Sequence, residues 1–88
     1  MIDLKFQSRA WEDFLYWQTQ DKKTLKRIFS LLKDIDRNGY FGIGKPEPLA
    51  TEYAGWWSVR IDSFNRLIFK IENDTLIIAS CKGHYGDK

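Results

Sequence analysis

Proline is scarce in this chain of 88 residues: there are two, and both flank one glutamate, in Lys45-Pro46-Glu47-Pro48. Cysteine is scarcer still. A single Cys81 excludes an internal disulfide and fits a reducing compartment, so the cytoplasm is the expected location. One histidine, His84, together with that one thiol falls short of the usual zinc or iron ligand sets, and neither a metal nor a cofactor is expected. No apolar run approaches the ~20 residues needed to cross a bilayer, and the opening Met-Ile-Asp-Leu-Lys-Phe carries charges where a signal peptide is apolar. No membrane partner is expected. Net charge is also small, fourteen basic residues against twelve acidic for +2, too mild to imply a nucleic-acid partner on its own. Gly42-x-Gly44 lacks the third glycine of a dinucleotide fingerprint, and no Gly-x-Ser-x-Gly elbow occurs.

Aromatic rings, in contrast, are plentiful: 16% of residues, with four Trp, six Phe and four Tyr. Large rings complete a small core without staples, and residues 1–88 suffice for one domain burying roughly 60–65% of its unfolded surface. Ile2, Leu4 and Phe6 alternate with polar residues, the period of a half-buried strand. Ser8 is an N-cap candidate for a first helix over about Arg9 to Thr19. In it Ala10, Trp11, Phe14, Leu15 and Trp17 recur at helical spacing, and Glu12 and Asp13 fall in the first turn. Asp21 caps a second helix, Lys22 to about Arg37, whose stripe is Leu25, Ile28, Phe29, Leu32 and Ile35. Its outer face carries Lys22, Lys23, Lys26, Arg27 and Lys33, a pattern that suits solvent and also suits phosphates. So short a link predicts an antiparallel helical hairpin.

Residues 39–55 show no period and read as one long connection, of the kind that is often functional. Three strands follow as an antiparallel meander: Trp57, Val59 and Ile61 share one face of the first, Leu67, Phe69 and Ile71 one face of the second, and Thr75 to Lys82 is the third. The opposite face then collects Arg60 and Arg66, with Lys82 joining them if the third strand pairs in the expected register. The fold class expected is α+β, an N-terminal strand and a two-helix hairpin on an antiparallel sheet.

Two prolines with φ fixed near −65° make the segment around Glu47 stiff, and stiffness suits a positioned catalytic acid or base. By itself the segment equally fits a rigid connection bearing a solvated glutamate. Joined to the sheet-face cations and to His84-Tyr85, it fits metal-free cleavage of RNA, which needs a base, an acid and fixed positive charge.

Gly44-Lys45-Pro46-Glu47-Pro48-Leu49, Gly55-Trp56-Trp57-Ser58 with Arg60-Ile61, Asn65-Arg66-Leu67-Ile68 and His84-Tyr85 resemble the YoeB/Txe family of bacterial toxins, within the RelE superfamily. Trp11-Glu12-Asp13, Tyr16-Trp17-Gln18 and Asp21-Lys22-Lys23 extend the likeness over nearly the whole chain. The resemblance implies a RelE-like, microbial-ribonuclease-like fold and a ribosome-dependent endoribonuclease that cuts messenger RNA in the A site of the 70S ribosome. It implies silencing by a YefM-like antitoxin, and it leaves a homodimer open. Carried onto matching positions, it makes Glu47 the general base, His84 the general acid and Arg66 the stabiliser of the pentacovalent phosphate. Tyr85 positions substrate or stacks on a base, Lys45 and Arg60 are supporting cations, and Lys82, brought to the same face by the strand alternation, is expected to bind substrate with them. The chain departs from the family's pattern in continuing Gly86-Asp87-Lys88 beyond the His-Tyr pair and in carrying Gly83, Val59 and Ala50 where larger or basic residues are usual. A domain that blocks the A site without cutting, and a scaffold for the antitoxin, are the alternative readings.

Overall fold

A computed structural model describes residues 2–83. The elements run β1 (Asp3–Phe6), α1 (Ser8–Gln20), α2 (Lys22–Asn38), β2 (Glu47–Pro48), β3 (Trp57–Arg60), β4 (Arg66–Glu72) and β5 (Thr75–Ser80), with single 3₁₀ turns at Gly39–Phe41 and Thr51–Tyr53. Strand order is β1-β5-β4-β3-β2. The expected α+β architecture and the β3-β4-β5 meander are present, both meander pairings being antiparallel. β1 instead runs parallel to β5, Asp3 opposite Thr75 and Phe6 opposite Ile78, so the sheet as a whole is mixed. Parallel neighbours need a long crossover, and here the helical hairpin and most of the meander form it.

Helix α1 starts one residue earlier than the spacing predicts. Gln7, not Ser8, occupies the cap: its N–H donates to the Ile78 carbonyl at 2.9 Å while its own carbonyl accepts from Trp11 N–H at 2.9 Å. The sheet ladder thus passes straight into the first helical turn, and Glu12 and Asp13 fall in the second. Asp13 is therefore placed by something other than the helix dipole. α1 buries Ala10, Phe14 and Trp17 but leaves Trp11 and Leu15 partly exposed, because the apolar arc is wider than the sheet beneath it.

Asp21 alone joins the two helices, and the cap expected there is made. Its Oδ1 accepts from the backbone N–H groups of Lys23 and Thr24, both at 3.1 Å, and its Oδ2 from the Thr24 hydroxyl at 2.8 Å. The Thr24 hydroxyl, followed by those backbone donors, holds the Asp21 carboxyl below the ordinary aspartate value of 3.8. A carboxyl depressed on folding adds stability above its unfolded pKa and loses it as pH falls through its folded one. Asp21→Ala is accordingly expected to lower the thermal midpoint at pH 7. The gap to wild type should close as pH falls below 3.8; a gap independent of pH in thermal melts would assign the effect to something other than the capping charge.

On α2 the buried arc is Ile28, Leu31, Leu32 and Ile35. Leu31 sits at the centre of that arc, between Ile28 and Ile35 at i+3 and i+7, whereas Phe29 lies at its margin and meets Phe14 edge-on at 5.7 Å. From the sheet come Val59, Leu67, Phe69, Leu76 and Ile78, closing one core between the hairpin and one face of the strands. Asn73 and Asp74 turn β4 into β5 with φ of 52° and 58°, the left-handed pair of a type I′ hairpin.

The connection after α2 is more ordered than its missing period implies. Tyr40 stacks on Trp57 with ring centroids 4.2 Å apart, and its hydroxyl accepts from Ile71 N–H at 2.8 Å. Asp34 Oδ2 accepts from Ile43 N–H at 2.8 Å. A Cβ at Gly42 would overlap that same carboxylate, and one at Gly44 would overlap Val59 Cγ2, so both glycines are required by close approach to packed side chains. These contacts lead the chain into β2 at Glu47.

Candidate active site

β2 pairs antiparallel with β3, Glu47 opposite Ser58 and Pro48 opposite Trp57, and Leu49 N–H donates to the Trp56 carbonyl at 2.9 Å. Prolines cannot donate to a ladder and are confined to sheet edges, which is where β2 lies. Strand pairing therefore sets which face Glu47 points from. Ser58 in turn lies opposite Ile68, and Arg60 opposite Arg66, so Glu47, Ser58, Arg60 and Arg66 share the sheet face turned away from the helices.

On that face Arg66 Nη2 donates to Glu47 Oε1 at 2.9 Å, and Arg66 Nε donates to the Ser58 hydroxyl. The two ends of the ion pair differ in access: the Arg66 side chain is 15% exposed and that of Glu47 is 67% exposed. A planar guanidinium held at two nitrogens presents fixed positive charge, and beside it a carboxylate remains open to a ligand. Arg60 is exposed directly across the strand pair from Arg66. Lys45 is exposed two residues before Glu47, with φ of 53°, and its N–H closes a turn on the Gly42 carbonyl at 3.3 Å.

Lys82 departs from the register expected of it. β5 ends at Ser80, so the alternation that would carry Lys82 to the arginines stops two residues short, and its ammonium lies 4.2 Å from the centre of the Tyr16 ring on α1. His84 and Tyr85 lie outside the described residues. The chain leading to them does not. Arg66 N–H donates to the Gly83 carbonyl at 2.9 Å, and Gly83 N–H donates to Asn65 Oδ1 at 2.8 Å. Gly83 has φ of 78°, a conformation glycine adopts without strain, and both its peptide groups are bonded.

The period of two in β3 places Ser58 on the arginine face, though nothing in the sequence marks it as a partner of Arg66. Asn65 was legible only as a turn residue. Its second task, holding Gly83, joins positions eighteen residues apart and has no local signature.

A sequence model describing the "YoeB-like toxin of bacterial type II toxin-antitoxin system" matches residues 6–85. The chain belongs to the YoeB toxin family. Toxin YoeB of Escherichia coli K12 is 44% identical over 84 residues, which cover 96% of this chain and 100% of that one. The YoeB of a YoeB-YefM complex from Staphylococcus aureus superposes with a TM-score of 0.89 at 44% identity, covering 97% of this chain and 99% of that one. A YoeB dimer from Staphylococcus aureus gives a TM-score of 0.88 at 46% identity, covering 96% and 98%. Placed in the YoeB family, the chain is a toxin of a type II toxin-antitoxin system, and its two helices on a five-stranded sheet are the family's fold.

Proposed function

We propose that this toxin is a ribosome-dependent messenger-RNA endonuclease acting through the Glu47–Arg66 pair. The observation that carries the reading is that pair itself. A carboxylate open to solvent stands 2.9 Å from a partly buried, doubly held guanidinium, with a second arginine across the strand. Glu47 takes the proton from the 2′-hydroxyl as its oxygen attacks phosphorus; the bond from phosphorus to the 5′-oxygen breaks, and His84 gives that oxygen its proton. The products are a 2′,3′-cyclic phosphate and a free 5′-hydroxyl. Arg66 neutralises charge on the phosphorane oxygens, Arg60 and Lys45 hold flanking phosphates, and Tyr85 stacks on or positions a base. A ribosome supplies the geometry of its A-site message, which a toxin this small does not enclose by itself.

The test is primer extension on messages held by purified 70S ribosomes. New 5′ ends within the A-site codon are expected. Arrest without new ends would make the chain a binder that blocks the site. The Staphylococcus aureus relative is found with YefM and also as a dimer. A YefM-like antitoxin is the corresponding cytoplasmic partner proposed here, with self-association as a second contact. Growth arrest on expression alone, relieved by co-expressing that antitoxin, is the result this partnership requires.

A further inference from the structure

Three consecutive residues at the end of β5 are held more heavily than the end of a strand needs. Asp13 Oδ2 accepts from Cys81 N–H at 3.0 Å, and Trp17 Nε1–H donates to the Cys81 carbonyl at 2.8 Å, so one turn of α1 grips both sides of a single residue. Arg9 Nη2 donates to the Lys82 carbonyl at 3.1 Å, with its Nε 3.7 Å from Asp13 Oδ2. Asn65 and the backbone of Arg66 hold both sides of Gly83, as described above. Asn65 is fixed in its turn by Asp62, whose Oδ1 accepts from Asn65 N–H at 2.7 Å.

Maintaining this clamp is costly. Asp13 is 8% exposed, and burial pushes its carboxyl above the ordinary value of 3.8, against the opposing pull of the Cys81 N–H, Arg9 and Lys82. The Cys81 thiol, buried and next to that carboxylate, is driven up to about 12, which leaves it an inert thiol at neutral pH. An apolar side chain at position 13 would spare the first cost but leave the Cys81 N–H without its acceptor. What the arrangement does supply is placement. The clamp ends on the backbone of Arg66, and Gly83 is followed directly in the sequence by His84.

We propose that Asp13 and Asn65 are positioning residues for the cleavage step: by holding Cys81 and Gly83 they make the chain leave the sheet at Arg66, the point from which His84 works as general acid. The proposal rests on the nuclease reading above. It says that a carboxylate and an amide that touch no substrate control delivery of a proton to the 5′-oxygen.

The experiment compares two messages on saturating programmed ribosomes, one ordinary and one with sulfur replacing the bridging 5′-oxygen at the scissile linkage. A thiolate leaves without a proton, so a defect confined to the acid disappears on the second message. On ordinary message Asn65→Ala and Asp13→Ala are expected to lower kcat by about tenfold or more with KM unchanged, since small misplacements of a catalytic group carry penalties of that order. Asp13→Asn, which keeps an acceptor for Cys81 N–H, restores most of the rate. On the sulfur message the Asn65→Ala, Asp13→Ala and His84→Ala defects vanish together, while that of Glu47→Gln persists. Asn65 is on a surface turn, so its variant carries the test if Asp13→Ala fails to fold. Wild-type kcat in folded Asn65→Ala, or equal defects on both messages, overturns the positioning role. His84→Ala that cuts ordinary message normally overturns the acid assignment as well, which separates failure of the underlying reading from failure of this one.

Discussion

Glu47→Gln is expected to slow message cleavage on programmed ribosomes by about a hundredfold or more, the range that loss of a general base produces. The substitution is nearly isosteric. Its amide oxygen still accepts from Arg66 Nη2, so the 2.9 Å contact and the pairing of β2 with β3 have no reason to move. What is removed is the capacity to take the 2′-hydroxyl proton. Stability should scarcely change, because the side chain is two-thirds exposed and its ion pair is screened by solvent. A matched thermal midpoint with the rate loss is the signature of chemistry, and the rate is read from single-turnover cleavage with ribosomes in excess. Cleavage within a factor of two of wild type would remove Glu47 from the mechanism and leave Arg66 as a phosphate anchor only.

The geometry of this site is legible in the sequence only in part. The period of two in β3 and β4 was enough to put Arg60 and Arg66 on one face, and the structure pairs them directly. Periodicity works there because a strand with one buried face has its register fixed by that face. It failed in two places for related reasons. Residues 39–55 have no period, yet they contain β2 and two 3₁₀ turns, because their order comes from single contacts to distant residues. Asp34 holding Ile43 and Tyr40 holding Ile71 are examples. Extending the alternation of β5 past Ser80 would bring Lys82 to the arginines, but the strand ends there and Asp13 and Trp17 take over the backbone of Cys81. Asp13 itself read as a first-turn acid favoured by a helix dipole. Besides Arg9 one turn before it, its carboxylate holds Cys81 N–H sixty-eight residues away, a distance at which one sequence offers no signal. Gly83 stands where larger or basic residues are usual in the family, and the structure holds both its peptide groups in a left-handed conformation that glycine tolerates.

Arg66→Lys should be almost as damaging as outright deletion, and this separates a geometric role from mere charge. Lysine keeps the positive charge but offers one compact donor group on a flexible stem, where arginine offers a planar fork. In this site the fork is already divided: Nε serves Ser58 and Nη2 serves Glu47, which fixes the plane and leaves its remaining edge to meet a phosphate. An ammonium that pairs with Glu47 cannot also be held by Ser58 in that plane, and one that turns to the phosphate abandons the carboxylate. Removing a preorganised donor from a developing oxyanion costs about 10²- to 10³-fold in kcat, and a loss in that range is expected for Arg66→Lys as for Arg66→Ala. Ser58→Ala, which frees the fork at one nitrogen but leaves charge and Glu47 in place, should lose about tenfold or less. If lysine restores most of the activity missing in alanine, position 66 contributes field strength rather than orientation. Orientation at that end of β4 would then rest, among the described residues, on the clamp on Gly83, which acts through the Arg66 backbone.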